Sequence, residues 1–190
     1  MMNDDLNKAL ETLRAGGVIL YPTDTVWGLG CDATNEKAVE RIYAIKKRPD
    51  RKSMLILMEN PALLERYVEE VPDIAWDLIE ITSTPLTIVY EKGKNLAPNL
   101  LPEDGSVGVR FTKEPFTREL IGRFQKPVVS TSANISGQPA PLRFGDIAEE
   151  IVNSADYVVR YRQQDDAPAT PSSIIKLGSG GKSRDHQAMK

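Results

Sequence analysis

Leu6, Leu10 and Leu13 recur at helical spacing and Gly16-Gly17 follows, which predicts an N-terminal helix that stops at the glycines. Residues 18–21, VILY, form a short β-favouring apolar run that Pro22 ends, so they read as a strand. Asn35 is placed to cap a helix whose apolar positions are Ala38, Val39, Ile42 and Ile45. Residues 54–58 read as a buried strand, and Asn60-Pro61 as a cap and first-turn proline opening a short helix. Ile74, Leu78 and Ile81 predict another helix, with these residues as its apolar stripe. Residues 86–90 and 107–111 read as strands, and Pro115 opens a helix through Arg123. A strand at 128–130, a helix at 144–153 and strands at 157–160 and 173–177 complete the pattern. This alternation predicts an α/β fold, one sheet flanked by helices. Residues 1–178 read as a single domain with irregular stretches at 91–105 and 161–171, and residues 179–190 as a flexible C-terminal tail.

Composition narrows the function classes. The 190 residues are 41% apolar and 27% charged, ordinary for a soluble globular domain with a sizeable core. No apolar run is long enough to span a bilayer, and the N-terminus MMNDDLNKAL lacks the basic start and apolar stretch of a signal peptide. Cys31 is the only cysteine and cannot form an internal disulfide, which suits a reducing cytoplasm. The net charge of −3 argues against a generic nucleic-acid coat, so any basic surface is local. One segment qualifies: KKRPDRK at 46–52, with five cations in seven residues.

Four stretches can carry chemistry. PTDTVWGLG at 22–30 follows a strand end and brings two hydroxyls, a carboxylate and two glycines that permit close backbone approach. It reads either as a ligand loop or as an ordinary turn with Trp27 filling core. Lys46, Lys47 and Arg48, with Arg51 and Lys52, either complement a helix C-terminus or hold a polyphosphate. STSANISG at 130–137 offers four hydroxyls, Asn134 and Gly137, which suit phosphate or ribose contacts or a plain polar turn. In SVGVR at 106–110, alternation puts Ser106, Gly108 and Arg110 on one face of a strand, where the arginine needs an anion, a salt bridge or solvent. There is no CxxC, HExxH, Walker A or GxSxG pattern, and the lone His186 lies in the tail. A Ser-His-Asp triad, a His-rich metal site and a His-activated Cys31 are therefore excluded readings.

Taken in order, PTDTVWGLG, Lys46-x-Arg48 followed by Pro49, SVGVR, STSANISG and PSSII at 171–175 resemble the YrdC-like family of threonylcarbamoyl-AMP synthases. The resemblance runs from Gly16 to Ile175 and matches the short, single-domain form. It implies a twisted mixed sheet with a concave basic face, and a nucleotidyltransferase using ATP, L-threonine and bicarbonate with Mg²⁺. By position it implies that Lys46, Arg48 and Arg110 are catalytic. Arg48, Lys52, Ser106, Ser132, Asn134 and Arg184 would contact ATP. Thr25, Arg110, Ser130 and Ser172 would surround threonine or its carboxylated form. Trp27 stands where tyrosine is common, Ser53 where proline or glycine is usual, and Ala140 where a serine often contacts ATP. The family further implies downstream proteins that transfer the threonylcarbamoyl group to tRNA. Two rival readings stay open: a double-stranded RNA or tRNA-binding module using the 46–52 patch, and a domain making other carbamoyl adenylates, as in hydrogenase-maturation proteins of similar fold.

Overall fold

The structure is a computed structural model and describes residues 2–49, 54–167, 169–178 and 183–185. In chain order its elements are α1 (Met2–Arg14), β1 (Ile19–Tyr21), β2 (Gly28–Gly30), α2 (Glu36–Ile45), β3 (Leu55–Met58), α3 (Asp73–Ile81), β4 (Leu86–Tyr90) and β5 (Val107–Phe111). Then follow α4 (Pro115–Phe124), β6 (Val128–Ser132), α5 (Glu149–Ser154), β7 (Tyr157–Val158), β8 (Ser173–Leu177) and β9 (Ser183–Asp185). Short 3-10 turns occupy Pro61–Arg66 and Phe144–Asp146.

Among the described residues the strands form one nine-stranded sheet in the order β7-β1-β2-β6-β3-β5-β4-β8-β9. The sheet is mixed: β1–β7, β3–β5 and β4–β8 pair in parallel and the other neighbours antiparallel. Side chains alternate across it, so the pairings Leu55–Ser130 and Thr87–Arg110 define one face. That face carries Ser130, Ser132, Gly108, Arg110 and Thr87. Ile56, Ile88, Tyr90, Val107, Val109 and Val129 point the other way, into the core.

Local chemistry explains most boundaries. The α1 helix buries Leu6, Ala9, Leu10 and Leu13, and Gly16 at φ 77° ends its run. Asn35 caps α2 by accepting the Ala38 N–H at 3.1 Å. Glu114 caps α4 through the Thr117 N–H at 2.7 Å, with Pro115 at the first turn.

Several expectations from the pattern change. Residues 28–30 are strand β2, wedged between β1 and β6. A Cβ on Gly30 would come within 2.5 Å of the Tyr21 ring and 2.8 Å of the Val129 carbonyl, so only glycine fits there. The α3 helix is rotated relative to the expected stripe. Ala75 is its buried residue, packed with Trp76, Leu78 and Ile79, whereas Ile74 and Ile81 are 42% and 75% exposed. The expected helix at 144–153 divides into a 3-10 turn and α5. Within the segment read as a flexible tail, residues 183–185 extend the sheet as β9, their backbone pairing with β8.

Candidate active site

The loop between β1 and β2 leans over the serine-bearing face and is fastened from below. The Thr23 hydroxyl donates to the Val26 carbonyl at 2.6 Å and accepts from the Thr25 N–H at 3.1 Å. The Thr117 hydroxyl on α4 donates to the Pro22 carbonyl at 2.6 Å, and Arg162 donates to the Thr23 carbonyl at 3.2 Å. Arg162 sits at φ 65° and also faces Glu114 at 3.6 Å. Burial raises the Glu114 carboxyl above the ordinary range, against the opposing pull of the Thr117 N–H and the Arg162 charge.

Arg110 lies beneath this loop and is only 3% exposed. Its Nε faces Asp24 Oδ1 at 3.1 Å, without hydrogen-bond alignment, and its Nη2 donates to the Thr25 hydroxyl at 3.2 Å. The sheet register sets Thr87 opposite Arg110, and Thr87 in turn shares a hydrogen bond with Ser172 at 3.1 Å. Thr25, Arg110 and Ser172 are therefore linked through Thr87 and the sheet register. Ser130 is buried on β6, separated from β5 by β3, where a Cβ on Gly28 would approach its hydroxyl to 3.5 Å.

Among the described residues, Asp24 Oδ1, Arg110 Nε, Glu114 Oε1 and Asn134 Oδ1 are buried with no hydrogen-bond partner. Asp24 Oδ1 and Arg110 Nε face each other as an ion pair, as do Glu114 Oε1 and Arg162, so these groups keep hydrogen-bonding capacity beside the loop. Beside it opens a cavity of about 360 Å³ lined by Thr23, Asp24, Thr84, Phe111, Glu114 and Arg162. A guanidinium next to a carboxylate, neither of them saturated, suits a small molecule carrying both charges, such as an amino acid.

The cationic segment divides its labour. Lys46 is 3% exposed, and its ammonium donates to the backbone carbonyls of Ser132 and Asn134, the latter at 2.8 Å. Its own carbonyl accepts the Ser136 N–H at 2.9 Å. Burial, and secondarily the nearby Arg48 charge, pull Lys46 down to about 8. Lys46 thus clamps the STSANISG loop to the end of α2. Lys47 at φ 50° turns outward to pair with Glu150 at 2.7 Å. Half-buried Arg48 makes no ion pair or side-chain hydrogen bond among the described residues, which leaves it available to an anion. Lys52, Ser53 and the Arg184 side chain lie outside the described residues; the Arg184 backbone sits on β9 opposite Lys176.

The remaining expected contacts are tied locally. The Ser106 hydroxyl and N–H both donate to Asp104, at 2.7 and 2.9 Å, which holds the Asp104 carboxyl below its usual range. Asn134 donates to the carbonyls of Ile135 and Gln138 at 3.0 and 2.8 Å, shaping the loop from within. Trp27 stacks at a tilt on Phe144, with 4.9 Å between ring centroids. Sequence reasoning singled out neither Asp24 alone, nor Thr87, Glu114 or Arg162. Glu114 carries a signal as a cap before Pro115, whereas nothing in the irregular stretch at 161–171 marks Arg162.

The profile of the Sua5_yciO_yrdC family, described as "Telomere recombination", matches residues 11–184. A protein of Pseudoalteromonas translucida named threonylcarbamoyl-AMP synthase is 37% identical over 180 residues, covering 92% of this chain and 93% of that one. The structure is similar to that of P. abyssi Sua5 complexed with L-threonine, with a TM-score of 0.81 and 29% identity over 90% of this chain. This chain spans only 50% of that Sua5 protein. It is also similar to E. coli YciO, with a TM-score of 0.80 and 25% identity over 98% of this chain and 92% of that one.

Proposed function

Because the chain belongs to the Sua5/YciO/YrdC family, we propose that it is a threonylcarbamoyl-AMP synthase, a nucleotidyltransferase acting in tRNA modification. The observation that carries this reading is the unsaturated Arg110–Asp24 pair beside Thr25, Thr87 and Ser172, a setting for a zwitterion with a hydroxyl. The P. abyssi relative crystallised with L-threonine supports the same substrate.

In this proposal the threonine amine attacks bicarbonate and water leaves, giving a carbamate. A carbamate oxygen then attacks the α-phosphorus of ATP. The bond to the bridging oxygen breaks and pyrophosphate departs with its electron pair. Neither step needs a protein nucleophile, which agrees with the missing triad. The protein's work is placement and charge, and orientation alone can supply about 7–11 kcal/mol of the barrier. Arg110 holds the carboxylate end of the amino acid or the carbamate, and Arg48, with Lys52, stabilises charge growing on the leaving phosphates. Lys46 keeps the STSANISG loop shaped for the nucleotide. Mg²⁺ enters with ATP as part of the substrate, held by phosphate oxygens. The product passes to downstream proteins that transfer the group to tRNA, in a cytoplasmic setting. Among the described residues no helix is long and apolar enough to cross a membrane.

Pyrophosphate release from ATP tests the proposal, with threonine and bicarbonate omitted in turn. Release that requires both is the expected result. Release that ignores either one, or none at all from protein that still binds ATP, rejects it and returns weight to an RNA-binding role.

A further inference from the structure

A second, roomy cavity lies away from the site above. It is a groove of about 880 Å³ at the far ends of β4 and β8, where they run parallel. Its floor is Tyr90 and Leu177, each 1% exposed, with Val71 and Ile74. Tyr90 and Leu177 follow directly after the Val89–Lys176 pair, so they lie side by side. Both project from the face opposite Thr87 and Arg110. The rim is acidic, formed by exposed Glu65, Glu69, Glu70 and Asp73. Lys92, the one cation among the described residues that line the groove, already donates to the Asp104 carbonyl at 2.8 Å.

Two observations point to a ligand beyond this charge. The Tyr90 hydroxyl is buried on the groove floor without a hydrogen-bond partner. Ile74, on the α3 turn that borders the groove, is 42% exposed although large and apolar. The groove is also preformed: the Glu69 N–H donates to the Lys92 carbonyl at 3.0 Å and the Lys94 N–H to the Tyr67 carbonyl at 2.9 Å, tying the rim to the end of β4. Carboxyl ends of neighbouring parallel strands are the usual place for ligands in open α/β sheets.

We propose that this groove docks a segment of a partner protein in which lysine or arginine side chains flank an apolar one. The cations meet the carboxylate rim, the apolar side chain covers the exposed Ile74, and a backbone or side-chain polar group is directed toward the Tyr90 hydroxyl. Nucleic acid is the wrong partner here, because phosphates would face the five carboxylates of Glu65, Glu69, Glu70, Asp73 and Glu91. Since the groove opens on the sheet face opposite Arg110, a partner docked there leaves the cavity beside Asp24 free.

The test is a titration of ¹⁵N-labelled protein at physiological salt with a short peptide of alternating lysine and leucine. Amides at 69–71, 73–74, 90–92 and 177–178 should shift saturably. The double variant Glu69→Lys/Glu70→Lys should weaken binding by about tenfold or more, and Ile74→Ser by about fivefold. All three positions are exposed, so thermal melts should match the parent. The proposal is overturned if the shifts are absent, scatter over the whole acidic surface, or survive the double charge reversal. Equal binding of a lysine–serine peptide overturns it in favour of unspecific charge attraction. The same shifts from magnesium chloride alone would make the groove a cation site instead. Shifts that grow with protein concentration alone would make it a self-contact.

Discussion

Two aspartates in this chain are buried in opposite ways. Asp5 on α1 is fully enclosed and accepts from the Tyr157 hydroxyl, from the Arg160 N–H and guanidinium at 3.2 and 3.3 Å, and from the Tyr161 N–H at 2.9 Å. Burial alone would raise its pKa, but these donors together hold the carboxyl below its usual range. Asp24, with a side chain 11% exposed, faces Arg110 at 3.1 Å yet leaves an oxygen without a hydrogen bond, beside a cavity. A saturated carboxylate fastens: it ties α1 to the chain just after β7. The Asp24 oxygen that faces Arg110 is held by charge and not by aligned hydrogen bonds, so this pair is less tightly fixed than the Asp5 cluster.

The largest effect should come from breaking the saturated cluster. Asp5→Ala leaves a hydroxyl, two N–H groups and a guanidinium without their acceptor, and should destabilise the fold by about 3–5 kcal/mol in denaturant melts. Turnover per folded molecule should not change. A loss below about 1 kcal/mol would show that the cluster is no anchor. Arg110→Met should act on both counts. Its kcat/KM for threonine should fall about 100-fold or more per folded molecule, and the melting temperature should also drop, because Asp24 loses its ion-pair partner. Near-parental kcat/KM would remove Arg110 from the site.

A smaller effect concerns acid. The native pKa of Asp5 is lowered, so its contribution is complete above the ordinary aspartate range and fades as pH falls through the native value. Asp5→Asn should flatten that part of the stability–pH curve, and a parental acid limb in this variant would discount the cluster. The subtlest prediction is an unchanged value. Lys46 loses its charge near 8, but a neutral amine still donates two hydrogen bonds to the carbonyls of Ser132 and Asn134. If Lys46 acts as a clamp, kcat/KM for ATP should hold level between about pH 7 and about pH 9. A fall with a midpoint near 8 would make it a phosphate ligand instead.

Much of the scaffold was legible because its signals are local. Asn35 and Pro115 mark their helix starts, and the apolar runs at 86–90, 107–111 and 173–177 are strands with those bounds. The β2 strand was missed because Gly-Leu-Gly has no alternation to read; its strand character comes from the neighbours on both sides. The rotation of α3 was missed because Ile74-Leu78-Ile81 and Ala75-Leu78-Ile79 are both helical stripes, and only packing against the sheet chooses between them. At the site, the motifs named Thr25, Arg110, Ser130 and Ser172, and the sheet brought them onto one face. They could not say that Lys46 turns inward to carbonyls while Arg48 makes no ion pair among the described residues.

The sequence by itself determined where most helices and strands form, that it carries no motif of a triad or of histidine-activated cysteine chemistry, and which short stretches hold hydroxyls, cations and glycines in a synthase-like order. Periodicity and capping act over a few residues, so one chain suffices to read them. Only the tertiary structure decided that Arg110 meets Asp24, that Arg162 secures the Thr23 loop, and that an acidic groove opens behind the sheet. Those outcomes depend on strand order and register, which juxtapose residues far apart in the chain. They also depend on which polar groups burial leaves satisfied, and that balance does not exist until the sheet has assembled.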